Sequence, residues 1–334
     1  MLLTARGTIY AFNAAAAETF GDLRAGDPIS FVLRLPEVLE AVREVGAGGP
    51  GRVVEYVERV PVDRWIQARV GPVWLDQSDR DDGVPKYVLL ILHDLTDIRR
   101  AERMRVDFVA NASHELRTPL AALLGFVETL QGPAKEDVEA RGRFLDIMKS
   151  QANRMSRLVD DLLHLSRIEQ REHIRPQDQV DIVEIVKSVI DSLAPLARDR
   201  GVEVVKSFPS EPVPARGERD ELIRVFENLI ENAIKYGQSG KKVDVSVAVE
   251  AGKARVRVRD YGPGIPQEHL PRLTERFYRV DAGDSREKGG TGLGLAIVKH
   301  IMSRHRGRLL IDSTAGDGAA FTAVIDVDEG KNGG

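Results

Sequence analysis

The stretch that decides the architecture is Phe108-Val-Ala-Asn-Ala-Ser-His-Glu-Leu-Arg-Thr-Pro-Leu120. Apolar residues recur through and beyond it in steps of three and four: Val109, Ala112, Leu116, Leu120, Leu123, Val127 and Leu130. That is one face of a helix. His114 lies two residues from both Ala112 and Leu116. At about 100° per residue its ring points about 200° away from each, toward solvent. An exposed imidazole is free to act as a nucleophile. Glu115 beside it can hydrogen-bond the ring, fix its tautomer and raise its basicity. Pro119 has no donor for the carbonyl of Glu115, so a bend is expected just after the histidine. Taken alone, this is also how a surface histidine beside an incidental proline kink reads.

Downstream, Val138–Ile168 carries Phe144, Met148, Gln151, Met155, Leu158, Leu162 and Leu165 in alternating steps of four and three. This is a heptad seam with one polar lapse. Gln131–Glu136 separates the two helices with Gly and Pro. The result is a helical hairpin. Two helices bury little, so the hairpin is expected to double into a four-helix homodimer.

Upstream, the first hundred residues read as mixed α/β. Strands are expected at Thr8–Phe12, Arg52–Val60, Arg64–Val70 and Lys86–Leu92, helices at Ala14–Phe20 and Pro36–Val45, and a hairpin loop at Ser78–Pro85. A second α/β region follows the hairpin. Its expected helices are Asp181–Arg198, Arg219–Tyr236 and Gly292–Ser303; its strands are Val202–Phe208, Val243–Val249, Ala254–Arg259, Arg308–Asp312 and Phe321–Val327. Glu329–Gly334 reads as a frayed tail.

Composition narrows the function. The chain has 334 residues, enough for two or three domains. Lys and Arg number 48 against 52 Asp and Glu, a net charge of −4, which does not suit wrapping nucleic acid. Cysteine is absent, which excludes disulfides, thiolate metal sites and a cysteine nucleophile. Uncharged apolar stretches such as Tyr87–Leu92 fall far short of the roughly 20 residues a membrane span needs. No secretory signal opens the chain. It reads as soluble and cytoplasmic.

Three further constellations lie in the C-terminal region. In Glu227-Asn-Leu-Ile-Glu-Asn-Ala-Ile-Lys-Tyr236, Asn228 and Asn232 share a helix face. Their carboxamide oxygens suit Mg²⁺, and Lys235 can neutralise phosphate. In Asp260-Tyr-Gly-Pro-Gly-Ile265, Gly262 and Gly264 allow close approach to a flat ligand, and Asp260 can accept from an exocyclic amine such as that of adenine. Gly289-Gly-Thr-Gly-Leu-Gly294 opens a helix and offers backbone donors to an anion. Neither the P-loop nor the dinucleotide spacing is present. Pro266–Lys288 between them reads as a lid. Singly, these are a polar helix face, a Gly-Pro turn and a glycine linker. Together with an exposed histidine they describe phosphoryl transfer from ATP to His114.

His114–Leu120 resembles the phosphoacceptor box of sensor histidine kinases. Asn228–Tyr236, Asp260–Ile265, Glu275–Arg279 and Gly289–Leu295 resemble their asparagine, first glycine, phenylalanine and second glycine boxes, in the family's order. The string Leu273–Arg308 is similar to the phosphate-regulon sensor kinases of alphaproteobacteria. Gly7–Asn13 and the exit His93-Asp-Leu-Thr96 resemble a PAS sensor.

The resemblance implies a multidomain α+β protein: a PAS-like sensor at 1–96, a dimerising phosphotransfer hairpin at 97–172, an α/β sandwich ATP-binding domain of the gyrase/chaperone/histidine-kinase type at 175–328, and a flexible tail at 329–334. His114 would be phosphorylated with Glu115 as base, and Thr118 would position a water for dephosphorylating the partner. That partner would be the receiver domain of a response regulator. Asn228 and Asn232 would hold Mg²⁺ on ATP. Asp260, Gly262 and Gly264 would seat adenine. Lys235, Tyr236, Phe277 and Arg279 would flank the nucleotide, with Gly290, Gly292 and Gly294 at the lid hinge and Thr291 and Leu293 binding nucleotide beside them. Such kinases usually carry membrane helices before the PAS domain, so the chain reads either as the cytoplasmic portion of an inner-membrane sensor or as a naturally soluble kinase. The alternatives are a nucleotide-binding pseudokinase or scaffold, or a related ATPase. The ATPases place a glutamate base where Asn228 stands.

Overall fold

The computed structural model describes residues 1–59, 63–75, 83–280 and 290–328. Val60, most of the Ser78–Pro85 loop, the whole lid segment beyond Val280, Gly289 and the tail Glu329–Gly334 lie outside the described residues. The chain forms two compact units, Met1–Ala110 and Asn111–Gly334.

The first unit holds β1 (Leu2–Thr4), β2 (Ile9–Ala11), α1 (Ala14–Phe20), α2 (Pro36–Gly46), β3 (Arg52–Glu58), β4 (Arg64–Val73) and β5 (Tyr87–Asp94). The strands form one sheet in the order β2-β1-β5-β4-β3. Asn13 caps α1 by accepting the N–H of Ala16 at 3.1 Å. Helix α2 buries Val38, Ala41, Val42 and Val45, a three-and-four repeat, against Leu3, Val70, Val88 and Leu90 of the sheet. β1 was not expected: three residues carry no readable alternation, and pairing with β2 and β5 creates it. Trp65 is half-buried under the guanidinium of Arg103. A cavity of about 850 Å³ is lined by Phe12, Phe20, Leu33, Tyr56, Ile66 and Leu92, among others.

Two long helices follow, α3 (Thr96–Gln131) and α4 (Val138–Arg171), with Asp137 capping α4 by accepting from Ala140 at 2.9 Å. Helix α3 continues through Pro119, so the expected bend does not end it. Phe126 and Phe144 meet across the hairpin with ring centroids 5.3 Å apart. Leu158 and Leu165 of the α4 seam are buried. On α3 the correspondence is poorer: Val109 and Leu120, both assigned to the inner face, are exposed. Among the described residues, no helix is long and apolar enough to cross a membrane.

The rest of the second unit contains β6 (Gln179–Asp181), α5 (Ile182–Asp199), β7 (Glu203–Ser207), β8 (Pro214–Arg216), α6 (Arg219–Tyr236), β9 (Lys242–Glu250), β10 (Lys253–Asp260), α7 (Gly294–Arg304), β11 (Arg308–Ser313) and β12 (Ala319–Asp326). The main sheet runs β11-β12-β10-β9-β7, antiparallel except for the β7–β9 pair. β6 and β8 form a separate ribbon that the sequence did not reveal. Part of the expected lid, Gln267–Arg272, is a 3₁₀ helix.

Candidate functional site

Helix α6 positions the first group. Leu222, Val225, Phe226, Leu229, Ile230, Ala233 and Ile234 are buried, and this continuous stripe fixes the helix's rotation. Asn228 and Asn232 are left half-buried on one margin. The Asn228 amide Nδ2 donates to the carbonyl of Arg224 at 2.8 Å. Its oxygen therefore faces the start of α7, where a Cβ on Gly294 would collide with it. Lys235 is buried with its Nζ 2.8 Å from Glu231, and Tyr236 is half-buried.

Eight residues separate Asn228 from Tyr236, about 12 Å along the axis. Asp260 stands at that far end, where Gly262 packs against the Tyr236 carbonyl and Gly264 against that of Thr314. Asp260 is 5% exposed. Its Oδ1 accepts from the N–H groups of Gly262 (2.9 Å) and Ala319 (3.3 Å). Burial pushes its carboxyl above the ordinary carboxylate value, against the pull of these donors and of Arg259.

The second glycine box closes the other side. Gly292 has φ of +74°, where L side chains are strained, and its carbonyl accepts from Phe277 N–H at 2.8 Å. Leu293 is fully buried and anchors the turn. Gly290 is half-buried at the edge of the described residues. Thr291 donates its hydroxyl to Asp161 of α4 at 2.9 Å.

On the hairpin, His114 is exposed, as its helical phase demands. Thr118 donates its hydroxyl to the His114 carbonyl at 3.2 Å. Glu115 is turned inward: Arg154 of α4 lies 2.8 Å from its Oε2, with the two side chains only 17% and 14% exposed. Arg279 approaches the same oxygen at 3.8 Å. Asp161 also takes Arg224 of α6 at 3.0 Å, and Glu169 pairs with Arg276. The nucleotide boxes thus meet the hairpin through carboxylates of α3 and α4. Sequence reading missed Arg154, Asp161 and Glu169. A signal was present: Arg154 and Asp161 are seven residues apart, each immediately before a seam residue.

Two of the other histidines, His305 and His164, are withdrawn from solvent, the second in part. His305 is buried; its Nε2 accepts from Glu218 N–H at 3.1 Å, its Nδ1 lies 2.8 Å from the Ile301 carbonyl, and burial lowers its pKa. Burial, aided by Arg224 and Arg167, also lowers that of His164. No group of His, Cys, Asp or Glu among the described residues is arranged to hold a metal.

Comparison with known proteins places this arrangement. Residues 104–171 match the His Kinase A (phospho-acceptor) domain, and residues 217–329 match the Histidine kinase-, DNA gyrase B-, and HSP90-like ATPase family. Together the matches cover more than half of the chain. The chain therefore carries a phospho-acceptor domain and an ATPase domain of the histidine kinase type. The chain is 42% identical over 236 residues to the phosphate regulon sensor protein PhoR of Pseudomonas aeruginosa, covering 70% of this chain and 53% of that protein. It is 33% identical over 325 residues to the sensor protein kinase WalK of Staphylococcus saprophyticus, covering 96% and 52%. The chain spans about half the length of these relatives. Among solved structures, the Acinetobacter baumannii histidine kinase AdeS aligns with TM-score 0.51 at 28% identity, over 65% of this chain and 98% of that one. Histidine kinase ThkA, solved with response regulator protein TrrA, shares the fold with TM-score 0.53 at 20% identity, over 98% and 94%.

Proposed function

We propose that the chain is a sensor kinase that transfers the γ-phosphoryl group of ATP to His114 and then to an aspartate on the receiver domain of a response regulator. The observation that carries this reading is the approach of Arg279, from the phenylalanine box, to Glu115 beside the exposed His114. It links the nucleotide boxes to the phosphoacceptor within one compact unit.

In this reading Asp260 accepts from the adenine amine, and the start of α7 receives the phosphates on backbone donors. Asn228 and Asn232 fit Mg²⁺: both offer neutral amide oxygens, and the bond from Asn228 Nδ2 to Arg224 leaves its oxygen directed at the phosphate cradle. Bound there, the ion neutralises charge on the phosphates. Lys235, Tyr236, Phe277 and Arg279 flank the nucleotide, and Gly290, Gly292 and Gly294 serve as the hinge before α7. Catalysis is then positioning and charge neutralisation. Thr118 orients a water that dephosphorylates the regulator.

The remaining assignments belong to the same proposal. The segments 1–96, 97–172 and 175–328 act as sensor, hairpin and ATP domain. The antiparallel β2-β1-β5-β4-β3 sheet, its cavity and the Asp94–Thr96 turn support a PAS-like sensor. Exposed Leu120, Leu124, Leu145 and Leu163 on the hairpin support a homodimer. The 42% identity to PhoR supports a phosphate-regulon kind of kinase acting on the cytoplasmic side of a membrane.

The test is Mg²⁺-dependent incorporation of γ-labelled phosphate in the parent and His114→Gln. Acid-labile, alkali-stable label that disappears in the variant supports the reading. No label in a folded, ATP-binding parent rejects it in favour of a pseudokinase.

A further inference from the structure

We propose that Arg154 is the positioning residue for the proton acceptor Glu115. The inference rests on the phosphotransfer reading above. Arg154 does not belong to the apolar seam, which passes through Gln151, Met155 and Leu158, and the outer face of α4 is open to water. Its side chain is nevertheless only 14% exposed, with the guanidinium set 2.8 Å from Glu115, across the hairpin. Withdrawing a cation from water is costly unless a partner compensates it. The partner here is the carboxylate next to the phosphoacceptor.

Among the described residues, Arg154 and Arg279 both address Glu115 Oε2, and they differ in where they are attached. Arg279 sits 3.8 Å away on the phenylalanine-box segment, where ATP phosphates compete for it. Arg154 is part of the hairpin itself, on α4. In the transfer, one ring nitrogen of His114 forms the bond to the γ-phosphorus. The bond from that phosphorus to the bridging oxygen breaks, and its electron pair leaves with ADP. The proton on the other ring nitrogen passes to Glu115. This requires the Glu115 carboxylate to be held in one rotamer. The Arg154 guanidinium, 2.8 Å from its Oε2, holds it.

The experiment measures initial rates of His114 labelling against ATP concentration for the parent, Arg154→Met, Arg154→Lys, Glu115→Gln and the Arg154→Met/Glu115→Gln double variant. Arg154→Met is expected to lower kcat by about 10- to 100-fold, with the ATP KM within about twofold of the parent. Arg154→Lys restores most of the rate and shows that the loss is not a folding defect. The double variant is expected to match Glu115→Gln alone. Multiplying losses, or a raised KM at unchanged kcat, overturns the inference and leaves the kinase reading intact. An unlabelled parent, or a Glu115→Gln variant of full activity, rejects the functional reading or its base and takes the inference with it.

Discussion

Asp94 and Asp260 each end a sheet strand, one in each compact unit, and their surroundings push them in opposite directions. Asp94 closes β5. Its Oδ1 accepts the hydroxyl and the N–H of Thr96, the latter at 2.9 Å, and its Oδ2 takes the Arg64 guanidinium at 2.9 Å. The Thr96 hydroxyl first, then its N–H and Arg64, hold the carboxyl down at about 2. Asp260 closes β10 with backbone donors on one oxygen, and burial raises it. A carboxylate satisfied by its own turn is a structural fastener, here aiming the chain from β5 into α3. A carboxylate buried with less compensation gains from a ligand that donates to it.

The comparison can be broken at several points. The largest effect is expected for Asp260→Asn, which should weaken Mg-ATP binding by about 10- to 100-fold in a calorimetric titration. The same variant should melt higher without nucleotide at neutral pH. A raised carboxyl destabilises the fold as pH climbs through its folded value, and the amide removes that cost. A lower melting temperature, or unchanged affinity, would erase the distinction between the two aspartates.

Thr96→Val should cost about 1 kcal/mol in denaturant unfolding of the first unit and leave ATP affinity unaltered. A change in affinity would show that the fastener also serves the nucleotide site. Asp161→Asn tests the contact that holds Thr291 and Arg224 against the hairpin. Losing one such bond, worth about 1 kcal/mol, should tighten ATP binding by about fivefold; weaker binding would make Asp161 a support rather than a competitor. The smallest effect concerns pH. Asp94 has a depressed folded value, so its stabilisation is present above the ordinary aspartate value and disappears as pH falls toward about 2. Asp94→Asn should flatten this acid limb only slightly, because the partly exposed pair is screened.

Much of the site was legible in the order of the residues. The steps of α3 place His114 outward, and the α6 stripe leaves Asn228 and Asn232 on one margin. Both follow from the helical period, a local property. The three-residue strands β1, β6 and β8 were not legible, since their regularity lies in their partners. Val109 and Leu120 follow the seam's spacing yet are exposed. Spacing defines a face but not which neighbour covers it.

The sequence by itself determined which groups are on offer: an outward-facing histidine on α3, two amide side chains on one margin of α6, a carboxylate at the end of β10 and a glycine-rich helix start. These depend on residue type and on periods of three to four residues, which backbone geometry imposes locally. Only the tertiary structure decided which charges meet. Arg154 reaches Glu115 from 39 residues away, and Thr291 reaches Asp161 from 130. Packing of α4 against α3, and of the glycine-rich turn against α4, selects those pairs. A half-buried charge takes the partner that the packing brings within reach.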